Sequence, residues 1–260
     1  MGFLTRAAVL AAASAVVATV ARGVTGLGSC DREPCVPVRF FFARGAAAGD
    51  IKGAVDRFST ALGDDNGSGP PARGGRRSIN WDADGVPFDM PGDFFNTAVP
   101  RGAVFHAKGG EFRVSNPPPV QHIVDNQFTS LNKNLSVQLK PFSAPRLFTP
   151  LRDNVVEVRF EVPGKRGATA ATKGFGAVLL DVDLEHVTTL AYYDVQGRRL
   201  AKMMVPAKAG GLSFLGLLFN ELIVAYVRMT LGNAKVTDRD GGHRDVVVAD
   251  NFVYGEPVRA

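Results

Sequence analysis

Residues 155–162 read VVEVRFEV, and this stretch decides the fold class. Apolar residues alternate with charged ones, so one side of an extended chain is apolar and the other is charged. Short runs of this kind, separated by Gly, Pro, Asn and Asp, continue to the end of the chain. They predict strands at 77–81, 103–107, 111–115, 146–149, 155–162, 174–181, 188–194, 198–205, 212–219, 223–231 and 245–254. Strands this short and this numerous predict an all-β, two-sheet antiparallel sandwich.

The composition supports that class and excludes others. The 260 residues are 45% hydrophobic, with 29 Gly and 16 Pro, which suits many turns and a sizeable core. Eighteen Phe against one Trp and four Tyr indicate aromatics buried between sheets. A coiled coil, a collagen-like fibre, a multi-span membrane protein and a cysteine-stapled mini-protein are excluded. The net charge of +5 comes without a basic stripe, so no nucleic-acid partner is expected.

Residues 1–21 have the pattern of a secretory signal peptide. Arg6 precedes the apolar run 7–21, which ends in small residues, and we place cleavage after Ala21. The run is shorter than the about 20 residues that a membrane span needs. We therefore expect a secreted, extracellular protein with no stable membrane span after cleavage. A membrane anchor and a transit peptide are the alternatives.

The two cysteines, Cys30 and Cys35, lie just after the predicted cleavage site. In an oxidising compartment this pair can close a small disulfide loop. The alternative is lipidation of Cys30, because 27–30 (LGSC) resembles a lipoprotein box.

Between the signal peptide and the sandwich, residues 22–76 form a separate N-terminal segment. Within it, residues 50–62 have apolar positions at helical spacing, with Asp50 able to cap the start and Gly63 to end the helix. A flexible Gly/Pro-rich loop follows. The β-sandwich domain is expected to span residues 77–257.

The second half of the chain resembles a known family. The runs GFGAVLLDVDL (174–184), TTLAYYDVQGRRL (188–200) and DVVVADNFVYGEP (245–257) resemble, in this order, exported and mostly bacterial proteins of unknown function. Some members carry a PEP-CTERM sorting tail, but no such motif follows Pro257, so a sorting anchor is not expected here. The resemblance implies a jelly-roll-like sandwich similar to carbohydrate-binding modules, and it implies no catalytic residues.

Exposed aromatic residues beside polar ones are typical of sugar sites, and the chain offers few. Trp81 is the first candidate because it lies beside Asp82 and Asp84 at a strand end. Tyr192 and Tyr193 are adjacent, so in a strand they point to opposite faces and at least one is accessible. The alternative for Trp81 is a half-buried anchor that packs against the helix.

Acidic residues at strand ends suggest a structural calcium. Calcium takes six to eight oxygen ligands, and carboxylates with loop carbonyls supply them. Because a structural calcium often joins the first and last strands of such modules, we expect Asp82, Asp84 and Asp250 as ligands. The alternative is that these aspartates only favour turns.

Catalysis is not favoured by any motif. Neither GxSxG, HExxH, a P-loop nor GxGxxG is present. Asp181 and Asp183 share one side of a strand at roughly 6.6 Å, which a glycosidase can use, whereas Glu157 and Glu161 are about 13 Å apart and too distant.

We therefore expect a secreted or cell-surface non-catalytic module that binds carbohydrate or extracellular matrix, with a structural calcium. The alternatives are a glycan-acting hydrolase that uses strand-end carboxylates, and a structural or adhesive protein that pairs through a sheet edge.

Overall fold

The computed structural model of the chain describes residues 18–20, 28–29 and 38–260. The predicted cleavage point after Ala21 and the predicted disulfide between Cys30 and Cys35 lie outside the described residues.

In the described part, the chain forms seventeen strands and three α-helices. The strands, in chain order, are β1 (Ala18–Val20), β2 (Gly28–Ser29), β3 (Val38–Gly45), β4 (Arg76–Ile79), β5 (Asp89–Met90), β6 (Ala103–His106), β7 (Phe112–Val114), β8 (Phe148–Pro150), β9 (Val155–Phe160), β10 (Ala170–Ala171), β11 (Gly174–Val182), β12 (Thr189–Tyr193), β13 (Arg199–Met204), β14 (Lys208–Phe219), β15 (Tyr226–Thr230), β16 (Val248–Gly255) and β17 (Val258–Arg259). The helices are α1 (Ala48–Leu62), α2 (Phe94–Thr97) and α3 (Leu135–Gln138), and a 3₁₀ turn spans Pro119–Gln121.

Two large sheets make the sandwich. One has nine strands in the order β1-β3-β14-β11-β16-β8-β7-β5, with β4 also pairing with β16. The other has six strands in the order β2-β13-β12-β15-β9-β6. The pairings in both are antiparallel, which confirms the predicted all-β, jelly-roll-like antiparallel sandwich with one helix near the N-terminus.

The main core lies between the two sheets and is rich in phenylalanine, as the composition predicts. Phe160, Phe175 and Phe252 meet there with ring centroids 5.4–6.3 Å apart in successive pairs. These rings are buried because alternate side chains of each strand point inward. The alternation of β9 follows this rule, with Val156 and Val158 inside.

Helix α1 packs on the outer face of the nine-stranded sheet. It begins two residues before the predicted start, and the Asp50 carboxylate accepts hydrogen bonds from the N–H groups of Ala46 and Ala47 at its N-terminus. Phe58 packs over the paired glycines Gly176 and Gly216, where a Cβ atom would lie only 2.9–3.0 Å from its ring. None of the helices in the described residues is long and apolar enough to cross a membrane.

A second apolar cluster therefore covers the nine-stranded sheet from outside. It joins α1 to Phe128 and Leu135 from the connection between β7 and β8. All nine residues of β11 are buried, since this strand is covered on both faces. The long connection between β7 and β8 thus has a packing role.

Two features of the N-terminal segment differ from the sequence expectation. Strand β3 pairs with β14 over eight residues, so the sandwich recruits residues that precede 77. The sequence of β3, VRFFFARG, does not alternate and was not recognised as a strand. The loop 63–76, predicted to be flexible, is held by a bridge between Asp65 and Arg76 and by contacts to the buried Arg77.

The six-stranded sheet presents its outer face to solvent. In β9, Glu157 is half-buried and Arg159 is exposed, whereas their neighbours Val156 and Val158 are in the core. In β15, Tyr226 and the exposed Arg228 share the outward side. This outer face therefore carries accessible charged and aromatic side chains.

Candidate functional site

Trp81 is not an exposed sugar platform. It is 1% exposed, stacks on Phe148 with ring centroids 4.4 Å apart, and contacts Phe95 edge-on. Its indole N–H donates to the carbonyl of Asp250 at 2.7 Å. Because protein covers both ring faces, the structure corrects the expectation of a ligand contact and gives Trp81 an anchoring role in the core between the sheets.

Asp82 and Asp250 come together as expected, but around a serine. Ser143 Oγ lies 2.8 Å from Asp82 Oδ2 and 3.3 Å from Asp250 Oδ1. Asp250 Oδ2 accepts from the N–H groups of Phe142 and Ser143, and Asp82 Oδ1 accepts from the N–H of Arg146.

These partners satisfy the carboxylates that we expected to bind calcium. Asp84, the third expected ligand, is exposed at the surface. Burial, opposed by the backbone hydrogen bonds, raises the pKa of Asp250 to about 8. A neutral Asp250 carries a hydrogen that it can donate to Ser143 Oγ, which in turn donates to Asp82. This cluster is therefore explained as a hydrogen-bond network, and the expected calcium site is corrected.

Tyr192 and Tyr193 point to opposite faces, as predicted. Tyr192 is fully buried, and its hydroxyl donates to the carbonyl of Phe175 at 3.0 Å. It is therefore a core residue, and the expectation of a ligand contact there is corrected. Tyr193 is half-buried on the outer side and stacks on Tyr226 with centroids 4.6 Å apart and an interplanar angle of 1°.

Arginines flank this tyrosine pair. The Arg159 guanidinium lies 4.7 Å from the Tyr226 ring centroid, and that of Arg228 lies 5.3 Å from Tyr193. Both guanidinium groups also pair with Glu157, at 2.5 and 2.6 Å. We call these five residues the tyrosine–arginine face. Cation–π contacts and ion pairs link these five side chains into one network.

The strand register extends this face into two rows. One row follows the pairings Arg199–Tyr193, Tyr193–Tyr226, Tyr226–Arg159 and Arg159–Val104. The next follows Lys202–Ala191, Ala191–Arg228, Arg228–Glu157 and Glu157–His106. Five strands at about 4.8 Å each make a flat surface roughly 19 Å across. Its charged side chains are mostly cationic.

A groove of about 410 Å³ borders both rows at their β6 end. Val104 and His106 end the two rows and also line this groove, together with Gly92, Asp93, Phe105, Ala107, Gly110, Phe112, Glu161 and Arg166. Burial, and then the charge of Arg159, lowers the pKa of His106. We call this the edge groove. The edge groove is concave and adjoins the tyrosine–arginine face at Val104 and His106.

A separate group of acids lies where β11 ends. One carboxylate oxygen from each of Asp183, Asp240 and Asp245 lies within 4.8 Å of the others, and this group can hold a metal ion. Asp245 accepts from the N–H groups of Asp183 and Leu184, which bends the chain around its carboxylate. With the neighbouring Asp181, we call this the aspartate cluster.

Burial dominates the electrostatics of this cluster. Burial, opposed by the hydrogen bond from the Gly210 N–H and assisted by the charges of Asp183 and Asp240, raises the pKa of Asp181 to about 7. Burial likewise raises the pKa of Asp245 to about 6, against two backbone hydrogen bonds. A nearby cation stabilises the ionised form of carboxyl groups whose pKa is raised in this way.

The cluster does not have the geometry of a glycosidase. A glycosidase needs both of its carboxyl groups open to the substrate. Asp181 is only 3% exposed, so a sugar has no access to it.

The sequence predicts only part of each of these sites. Arg159, Arg228 and Asp240 were not singled out from the sequence. The outward alternation of β9 and β15 was available as a signal for the arginines, but their meeting with Tyr193 depends on cross-strand register. Asp240 lies in an irregular loop, where spacing carries no such signal.

The fold and these surfaces define an antiparallel β-sandwich with an open polar sheet face. Comparison of the chain with protein-family models, with curated proteins and with solved structures finds no match.

Proposed function

We propose that this chain is a secreted, non-catalytic binding module whose ligand is a polysaccharide. The ligand lies across the outer face of the six-stranded sheet. The observation that carries the proposal is the Tyr193–Tyr226 stack, fixed between Arg159 and Arg228 on an accessible surface. An extended chain of sugars suits a flat face better than a compact ligand does.

A ligand on this face would meet hydrogen-bond donors rather than open aromatic ring faces. Tyr226 has Tyr193 on one side and Arg159 near its ring, so its edge and hydroxyl are what a ligand meets. Guanidinium and phenol groups bind hydroxyl and carboxylate oxygens well. Because the network is preorganised, little side-chain entropy is lost on binding.

The charge balance favours acidic sugars. Arg159, Arg228 and Lys202 lie on or beside the face, whereas Glu157 supplies the negative charge at its centre. A polyuronate or a sulfated matrix glycan matches this excess of cations. The edge groove provides a place for the chain to leave the flat surface at His106.

Calcium is the second component of the proposal. The sequence led us to expect it at Asp82, Asp84 and Asp250, but Asp183, Asp240 and Asp245 are the better ligands. Carboxylate oxygens without imidazole or thiolate ligands favour a hard cation, and their placement on loops suits the flexible coordination of calcium. Its role in this proposal is structural.

Titration of a polyuronate and its methyl-esterified form into the protein tests the proposal. We expect saturable binding of the charged polymer, weaker binding of the neutral one, and loss of affinity with added salt. Equal binding of both forms would show that the charge of the polymer does not contribute to affinity. Binding of neither form would overturn the proposed function.

A further inference from the structure

The edge groove differs in charge from the tyrosine–arginine face beside it. We infer that the groove binds a neutral, hydroxyl-rich sugar unit of the same polysaccharide, held by the carboxylates of Glu161 and Asp93. The inference rests on the proposed function and adds to it a second kind of sugar unit. The ligand then contains neutral units beside its acidic ones.

The size and place of the groove suit a sugar unit. Its volume of about 410 Å³ lies within the roughly 300–1,000 Å³ that is usual for ligand pockets. Val104 and His106 of β6 line the groove, and through their pairing with Arg159 and Glu157 they also end the two rows of the face. A sugar chain that crosses the strands therefore passes from the flat face into the groove.

Glu161 brings to the groove a carboxylate that the protein uses only in part. Its Oε2 accepts from Asn96 Nδ2 at 2.6 Å, whereas its Oε1 accepts from no side chain or backbone group among the described residues. Asn96 is 1% exposed, and its Oδ1 accepts from the N–H of Gly164 at 2.8 Å, so both ends of this amide are engaged. The buried amide therefore orients Glu161 and leaves Oε1 available to accept from a ligand hydroxyl.

Asp93 lies on a wall of the groove that packs directly on β6. The carbonyl of the preceding residue, Gly92, accepts from the N–H of Phe105 at 2.7 Å. A Cβ atom at Gly92 would lie only 2.4 Å from the Phe105 carbonyl oxygen, so the close approach of the two backbones requires glycine here. The contact with β6 therefore sets the position of Asp93 in the groove.

Asp93 and Arg166 form a loose ion pair at the groove. Their Oδ2–Nη2 distance is 3.5 Å, and their side chains are 32% and 80% exposed. Since an exposed pair of this kind contributes little to stability, both groups are free to exchange each other for a ligand. The carboxylate then accepts from a hydroxyl group, and the guanidinium donates to one.

The charges in the groove favour a neutral sugar unit over an acidic one. Asp93 and Arg166 offset each other, whereas the side-chain partner of Glu161 is the neutral amide of Asn96. Burial lowers the pKa of His106 from its usual value, so this side chain is neutral at about pH 7. The groove is therefore net negative. It repels the carboxylate of a uronate, whereas the hydroxyl groups of a neutral unit donate to its carboxylates.

Calorimetric titration of the full chain with two oligosaccharides of equal length tests the inference. One consists of uronate units alone, and in the other uronate alternates with a neutral hexose. Glu161→Gln is expected to weaken binding of the alternating oligosaccharide about tenfold, because the groove loses a charged acceptor for the hexose hydroxyls. Binding of the uronate-only oligosaccharide is expected to stay the same or to strengthen, because the variant removes a negative charge. Asp56→Asn, at an exposed carboxylate on α1, is the control and binds both oligosaccharides as the wild type does.

Equal effects of Glu161→Gln on both oligosaccharides, or no effect on either, would overturn the assignment of the groove. If that variant does not fold, Asp93→Asn replaces it with the same expected results. Arg228→Gln separates the groove from the face. If it weakens uronate-only binding while Glu161→Gln leaves alternating binding unchanged, the proposed function stands and the groove assignment fails. A wild type that binds neither oligosaccharide would overturn both.

Discussion

Arg77 and Glu256 form a bidentate ion pair that is closed from solvent. Their Nε–Oε2 and Nη2–Oε1 distances are both 2.8 Å, and their side chains are 0% and 1% exposed. Arg77 also donates to the carbonyls of Gly67, Gly69 and Pro70. The pair therefore joins the loop 63–76 to the end of the last long strand, β16.

Glu256→Gln is expected to destabilise the protein by about 3–5 kcal/mol, because it leaves the Arg77 charge buried without compensation. Urea unfolding measures this loss. Limited proteolysis should show faster cleavage within 63–76, since Ala72 N–H also loses an acceptor with full charge.

The exposed pair Lys52–Asp56 is the control for Glu256→Gln. Asp56→Asn is expected to change stability by less than about 0.5 kcal/mol, because solvent screens this pair. If Glu256→Gln were as mild as Asp56→Asn, the buried pair would not hold the loop.

Asp250 gives stability a pH dependence. Burial raises its pKa to about 8, whereas in the unfolded chain the carboxyl ionises near pH 4. Between these pH values Asp250 holds a proton in the folded state but not in the unfolded state. Its contribution to the free energy of unfolding is therefore full below about pH 4 and is lost as pH rises toward 8.

Asp250→Asn mimics the neutral acid, and its amide can donate to Ser143 in the same place. We expect this variant to gain stability relative to the wild type between pH 6 and pH 9, as measured by urea unfolding. Asp84→Asn, at an exposed position, is the control and should follow the wild type. An Asp250→Asn variant with the wild-type pH slope would contradict the assignment.

Trp81→Phe is expected to lower stability by about 1–3 kcal/mol, since the carbonyl of Asp250 loses its buried donor. Polysaccharide affinity should stay unchanged, because the indole lies in the core. Loss of polysaccharide binding without loss of stability would instead show that Trp81 takes part in ligand binding.

Sequence patterns were most informative where the signal is local. The alternation of β9 and the spacing of α1 predicted those elements, and the adjacency of Tyr192 and Tyr193 predicted one accessible ring. These features depend only on neighbours along the chain.

Non-local packing decided the rest. Strand β3 is covered on one face by α1, so phenylalanines on both of its faces are buried. Apolar and polar residues therefore do not alternate along this strand, and the sequence lacks the usual strand pattern. The burial of Trp81 depends on Phe148, 67 positions away in the sequence, and the meeting of Arg159 with Tyr226 depends on strand order. None of these contacts leaves a trace in residue spacing.

Binding of an acidic polysaccharide by the tyrosine–arginine face is the proposed function. Calorimetric titration of a polyuronate oligosaccharide into Tyr226→Ala and Arg228→Gln tests it most directly, with Arg57→Gln as the matched control. Arg57 is exposed on α1, which packs on the other sheet. Both face variants are expected to lose about tenfold or more in affinity, or about 1.4 kcal/mol, while Arg57→Gln binds as the wild type does. Wild-type affinity in both face variants would contradict it.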